Sequence, residues 1–144
     1  MRKPPESPIA MKLIAACACE ITAKDQNDSQ TLRLSNTEDP RDHPLAGIAR
    51  IDLHFPKFSD GRAFSQAFLL SRRLDFKGEI RATGDVLVDQ LAQMQRSGFT
   101  CAALRADQDL ALAERVLASY PGQRAGSYQG DAVRAHPRFV AVAA

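Results

Sequence analysis

From residue 48 onward the apolar positions fall into a repeating pattern. Ile48-Ala49-Arg50-Ile51-Asp52-Leu53-His54-Phe55 is a strand-length segment, closed by Pro56, which has no amide N–H and cannot continue a central strand. In Ser59-Asp60-Gly61, either Ser59 or Asp60 can cap a helix, and Phe64, Ala67, Phe68 and Leu74 then recur near helical spacing until Lys77-Gly78. Glu79-Ile80-Arg81-Ala82-Thr83 predicts a second, short strand. Gly84-Asp85 opens a second helix with Leu87, Leu91 and Met94 on one face, and Ser97-Gly98 ends it. Phe99 to Arg105 predicts a third strand, after which Asp107 or Asp109 caps a helix carrying Leu110, Ala113, Val116 and Leu117 before the break at Pro121-Gly122.

The rest of the chain is less patterned. Residues 1–10 are Pro-rich and polar and read as a disordered leader. In the N-terminal segment, 11–46, Leu13 to Ile21 is a short strand or helix that runs into the polar loop Lys24 to Gln30. Leu32 and Leu34 alternate with polar residues as a short strand does, and Asn36 to Pro44 is again loop. The core therefore spans 47–120, followed by a Gly-, Arg- and Ala-rich tail, 121–144, that reads either as partly disordered chain or as a docking segment. Strands alternating with helices of ten to fifteen residues imply right-handed crossovers and parallel pairing, hence an α/β fold built of consecutive βα units. At 144 residues the chain is too short for a closed eight-fold barrel, which takes about 200 or more. An open sheet of three to five strands or a partial barrel fits.

Composition removes several function classes. Apolar residues at 44% and charged residues at 25% match ordinary globular usage, and no run reaches the ~18 apolar residues of a membrane helix. Nineteen Lys and Arg against seventeen Asp and Glu leave +2 with the signs interspersed, which is not the basic stripe of a nucleic-acid binder. Of three cysteines, Cys17 and Cys19 are too close for an unstrained bridge and Cys101 lies in an apolar run, so a reducing, cytoplasmic setting follows.

Parallel α/β sheets bind ligands at the carboxyl ends of their strands, where loops and helix N-termini converge. The first such loop offers Lys57, Ser59, Asp60 and Arg62; the second Arg81, Thr83 and Asp85; the third Arg105, Asp107 and Asp109. Lys57, Arg62, Arg81 and Arg105 would make a cationic rim suited to a small oxyanion such as sulfite or phosphate. The plainer reading, favoured because a capping Asp is expected at each such turn, makes Asp60, Asp85 and Asp107 helix caps and surface ion-pair partners of these cations. Pro56, Gly61 and Gly84 are placed to shape the turns, while Asp89 and Gln90 fall within the second helix as secondary contact candidates.

The catalytic residues are not legible. His43, His54 and His136 stand outside any base–nucleophile pattern, and Cys17-x-Cys19 with Cys101 falls short of a four-ligand zinc or iron–sulfur site. No nucleotide or haem fingerprint occurs either, so no cofactor is implied.

The ordered succession Phe55-Pro56-Lys57-Phe58-Ser59-Asp60-Gly61-Arg62-Ala63-Phe64-Ser65, Gly78-Glu79-Ile80-Arg81-Ala82-Thr83-Gly84-Asp85-Val86-Leu87-Val88-Asp89-Gln90 and Ser97-Gly98-Phe99 resembles the bacterial family of domain of unknown function 934 (DUF934). The resemblance covers Ile48 to about Asp109; Ser97 stands where the family pattern often has Cys. That family is placed in assimilatory sulfite reduction through genes adjoining the sulfite reductase haemoprotein. The resemblance implies an accessory or electron-delivery partner of a sulfite reductase. The alternative is a small oxidoreductase or anion-binding enzyme using the basic rim.

Overall fold

The computed structural model describes residues 11–15 and 30–119. The leader, Cys17, Cys19, His136 and the tail lie outside the described residues. Five strands, β1 (Lys12–Ile14), β2 (Thr31–Leu34), β3 (Arg50–Phe55), β4 (Glu79–Gly84) and β5 (Cys101–Ala103), form one sheet in the order β1-β5-β4-β3-β2. Every pairing is parallel. β1 and β2 are the two edges and do not pair with each other, so the sheet is open and the fold is α/β. Its helices are α1 (Arg62–Phe68), α2 (Leu91–Ser97) and α3 (Leu110–Ser119).

Alternation explains the strands. Ile51, Leu53 and Phe55 of β3 point to one face with Ile80 and Ala82 of β4, Ala102 of β5 and Leu34 of β2, and the helices bury that face. At its centre Phe55 meets Phe64 of α1 and Phe99, with ring centroids 5.2 and 5.8 Å away, and Phe64 meets Phe99 at 6.2 Å. The Phe55–Phe64 and Phe64–Phe99 pairs are edge-on, and aromatic contacts of this kind add to the apolar area they bury.

The helices depart from the predicted periodicity. Ala63, Gln66 and Ala67 are the buried residues of the first helix, with Leu70 of the turn that follows it, whereas Phe68 and Leu74 are exposed. Small residues let the helix sit close to the sheet, and after Phe68 it widens into a π-turn over Leu69–Arg73, closed by Leu74 N–H donating to Leu69 O at 2.9 Å. That widening changes the face on which Leu74 lands. The second helix starts late: Gly84 ends β4, Val86 O accepts the Arg105 N–H at 3.0 Å, and a 3-10 turn, Val88–Gln90, precedes α2. Asp89 and Gln90 thus lie in that turn. Gly98 closes α2 with φ at 115°, as predicted for its stop.

Candidate functional site

The loop from Pro56 to Gly61 leaves β3 at the carboxyl end of the sheet, and its neighbours tie it down. Asp85, just past β4, uses one carboxylate oxygen to accept the Phe58 N–H at 2.7 Å and the other to accept Arg105 Nη1 at 2.6 Å. Its own N–H donates to Phe55 O at 2.8 Å. From the turn before α2, Gln90 Nε2 donates to Phe58 O at 2.7 Å, so both backbone polar groups of Phe58 are held. On the other flank, Asn36 Nδ2 donates to Asp60 Oδ2 at 2.6 Å. Gln66, 6% exposed, anchors the chain behind Asn36 by donating from Nε2 to Ser35 O and Glu38 O, both at 2.7 Å.

This network fixes the loop and turns one side chain outward. Phe58 is 52% exposed at the tip, between exposed Lys57 and Ser59. Sequence reasoning passed over Phe58, Asn36 and Gln66; an aromatic inside an otherwise polar turn was the one available signal.

Two of the rim cations, Arg105 and Arg62, engage carboxylates. Arg105 spans Asp85 and Asp107, with Nε 2.6 Å from Asp107 Oδ1 and Nη2 2.7 Å from Oδ2. Arg62 Nε lies 3.7 Å from Asp60 Oδ1, which also accepts the Arg62 N–H at 3.2 Å; the N-cap of α1 is Gly61, which has no side chain to cap it. Asp109 caps α3 by accepting the Ala111 N–H at 2.9 Å, while Asp107 serves Arg105. Hydrogen bonds from Arg105 hold Asp107 down to about 2 and, with the Phe58 N–H, lower Asp85 as well.

A sign for pH follows. A carboxylate whose folded pKa is depressed contributes stability above its unfolded pKa and loses it as pH falls through the folded value. The clamp should therefore hold at neutral pH and loosen as pH falls below the ordinary carboxylate range, because the Asp85 pKa is lowered. Acid titration is expected to move the amide resonance of Phe58 over that window in the parent chain, and Asp85→Asn to abolish the transition at that amide.

Arg81 is not at the rim. It lies inside β4 on the sheet face away from the helices, bound to Glu79 Oε1 through Nε at 2.9 Å and Nη2 at 2.6 Å. Cross-strand register sets it between Asp52 and Cys101. Burial pushes Asp52 up, against the pull of Arg50, Arg81 and Arg33, and pushes the Cys101 thiol up to about 11. A thiol so protonated is a poor nucleophile. Among the turn residues, Gly84 has φ at 88° and a Cβ there would stand 2.4 Å from Phe55 O. Gly61, with φ at −84°, needs no such freedom.

Among the described residues no three His, Cys, Asp or Glu side chains converge to hold a metal ion, and no helix is long and apolar enough to cross a membrane. A family model described as "Bacterial protein of unknown function (DUF934)" matches residues 31–139, extending on both sides of the motifs that carry the resemblance. Neither the curated proteins nor the solved structures give a match. With well over half of its 144 residues covered by that match, the chain belongs to the DUF934 family of bacterial proteins.

Proposed function

We propose that this chain is an accessory partner of a sulfite reductase and docks through the β3–α1 loop. The observation that carries the docking is Phe58: an aromatic ring held half out of the surface on a loop whose backbone is tied by Asp85 and Gln90. Exposed aromatics that enter a partner's pocket dominate interface energies, and a pre-ordered loop loses little entropy on association. Sulfite reductase as the partner rests on the family resemblance. The rim favours docking over anion capture, because an incoming anion would compete with Asp85 and Asp107 for Arg105.

The test is a binding measurement between the full chain and a sulfite reductase haemoprotein from the same cell. The parent is expected to bind, and Phe58→Ala to weaken binding about tenfold or more, as an anchor residue does. Because Phe58 is exposed, the variant should keep the parent's melting temperature. Absence of binding by the parent chain refutes the partner; equal binding by both refutes the loop as the contact.

A further inference from the structure

The β3–α1 loop holds the one Asp-Gly pair of the chain, Asp60-Gly61. Glycine has no Cβ to shield its backbone nitrogen, so that nitrogen can attack Cγ of the preceding aspartate. The new N–Cγ bond closes a succinimide ring and expels a carboxyl oxygen as water. A second water reopens the ring. Cleavage of the N–Cγ bond restores aspartate, whereas cleavage at the main-chain carbonyl leaves isoaspartate, with the backbone rerouted through Cβ and Cγ. One water leaves and one enters, so the sum is an isomerisation in which nothing is oxidised or reduced.

The surroundings admit this reaction. Gly61 is exposed, and a Cβ there would meet only Phe64 Cδ2, at 3.7 Å, so the space beside it is open. Among the described residues its N–H has no acceptor, which leaves the nitrogen uncommitted. Asp60 keeps 28% of its side chain exposed, so water can reach the ring. The brake is the bonding of the carboxylate. Asn36 Nδ2 donates to Oδ2 at 2.6 Å and the Arg62 N–H to Oδ1 at 3.2 Å, and Cγ cannot swing to the Gly61 nitrogen while both oxygens are held. Asn36 is the firmer holder. Its bond is the shorter, and its own turn is pinned by Gln66 at Ser35 O and Glu38 O and by Glu38 Oε2, which accepts the Ser35 N–H at 2.6 Å.

We propose that Asp60-Gly61 is a backbone isomerisation site of this protein and that Asn36 is the positioning residue that holds it in check. Isoaspartate adds a methylene to the main chain two residues after Phe58, inside the turn that the Asp60 N–H closes on Lys57 O at 3.0 Å. The longer chain cannot keep that turn and also leave Phe58 in register with Asp85 and Gln90. Isomerised molecules therefore lose the ordered loop and with it the docking contact. This last consequence rests on the loop being the docking surface; the isomerisation itself does not.

The test is to age the full chain at neutral pH and to label isoaspartate with an isoaspartyl carboxyl methyltransferase and radioactive S-adenosylmethionine. Trypsin, cutting after Lys57 and Arg62, releases Phe58 to Arg62 as the peptide that carries the site. The parent should accumulate label in that peptide slowly. Asn36→Ala should accelerate it about tenfold, the equivalent of one lost hydrogen bond to a charged group. Gly61→Ala added to Asn36→Ala should bring the rate back to the parent's or below, because the Cβ shields the attacking nitrogen. Met94→Ala empties a core site away from the loop and lowers stability, and it should leave the rate at Asp60 unchanged. An unaccelerated Asn36→Ala, or equal acceleration in Met94→Ala, overturns the proposal. Binding of fresh and aged Asn36→Ala chain to the reductase reads the docking consequence separately: a parent that never binds refutes the docking surface, and the label at Asp60 decides the isomerisation regardless.

Discussion

Phe55→Ala is expected to cost about 3–5 kcal/mol of folding stability, the range for emptying a buried aromatic site. Phe55 is fully buried on the interior strand β3 and touches both Phe64 and Phe99, so its ring joins the sheet to α1 and to the segment entering β5. The neighbours cannot collapse into the space, because Ile80 and Ala82 are fixed by the β4 ladder and Phe64 by α1. Domains of this size are stable by only about 5–15 kcal/mol. Urea unfolding should show the midpoint falling steeply with the slope unchanged; a loss under about 1 kcal/mol would mean that the aromatic cluster is not the centre of the core.

Gly84→Ala is expected to be nearly as damaging, at about 3 kcal/mol or more, and to act on the loop as well. A φ of 88° strains any residue with a Cβ by about 1–2 kcal/mol. The added atom would also stand 2.4 Å from Phe55 O, which accepts the Asp85 N–H. Relieving that overlap means moving Asp85, the residue that holds the Phe58 N–H. The variant should therefore lose both thermal stability and binding through the loop. Gly61→Ala supplies the contrast: its Cβ would meet only Phe64 Cδ2, at 3.7 Å, and the change should cost below about 1 kcal/mol. Comparable melting temperatures for the two variants would refute the distinction.

These two glycines show where the sequence was readable. Both were expected to shape turns, but only the backbone angle separates the one that must be glycine from the one that need not. Strands were legible because alternation is local: Ile51, Leu53 and Phe55 identify their own face, and parallel pairing followed from the intervening helices. Helix limits were less so, since the π-turn at Leu69–Arg73 and the late start of α2 depend on hydrogen bonds made by distant residues, such as Arg105 N–H to Val86 O. The rim was legible as a list of charges and not as an arrangement. Nothing local says that Asp85 serves Phe58 and Arg105 at once, or that Arg81 turns to the opposite face.

Among the described residues the open sheet ends in β1 and β2, and edge strands are where another chain would add. Both are short: β1 has three residues and β2 four, each with a cation at its centre or next to it, Lys12–Ile14 led by Lys12 and Thr31–Leu34 holding Arg33. Short edges bearing like charges pair poorly with copies of themselves. Edges of this kind disfavour strand-to-strand association between copies.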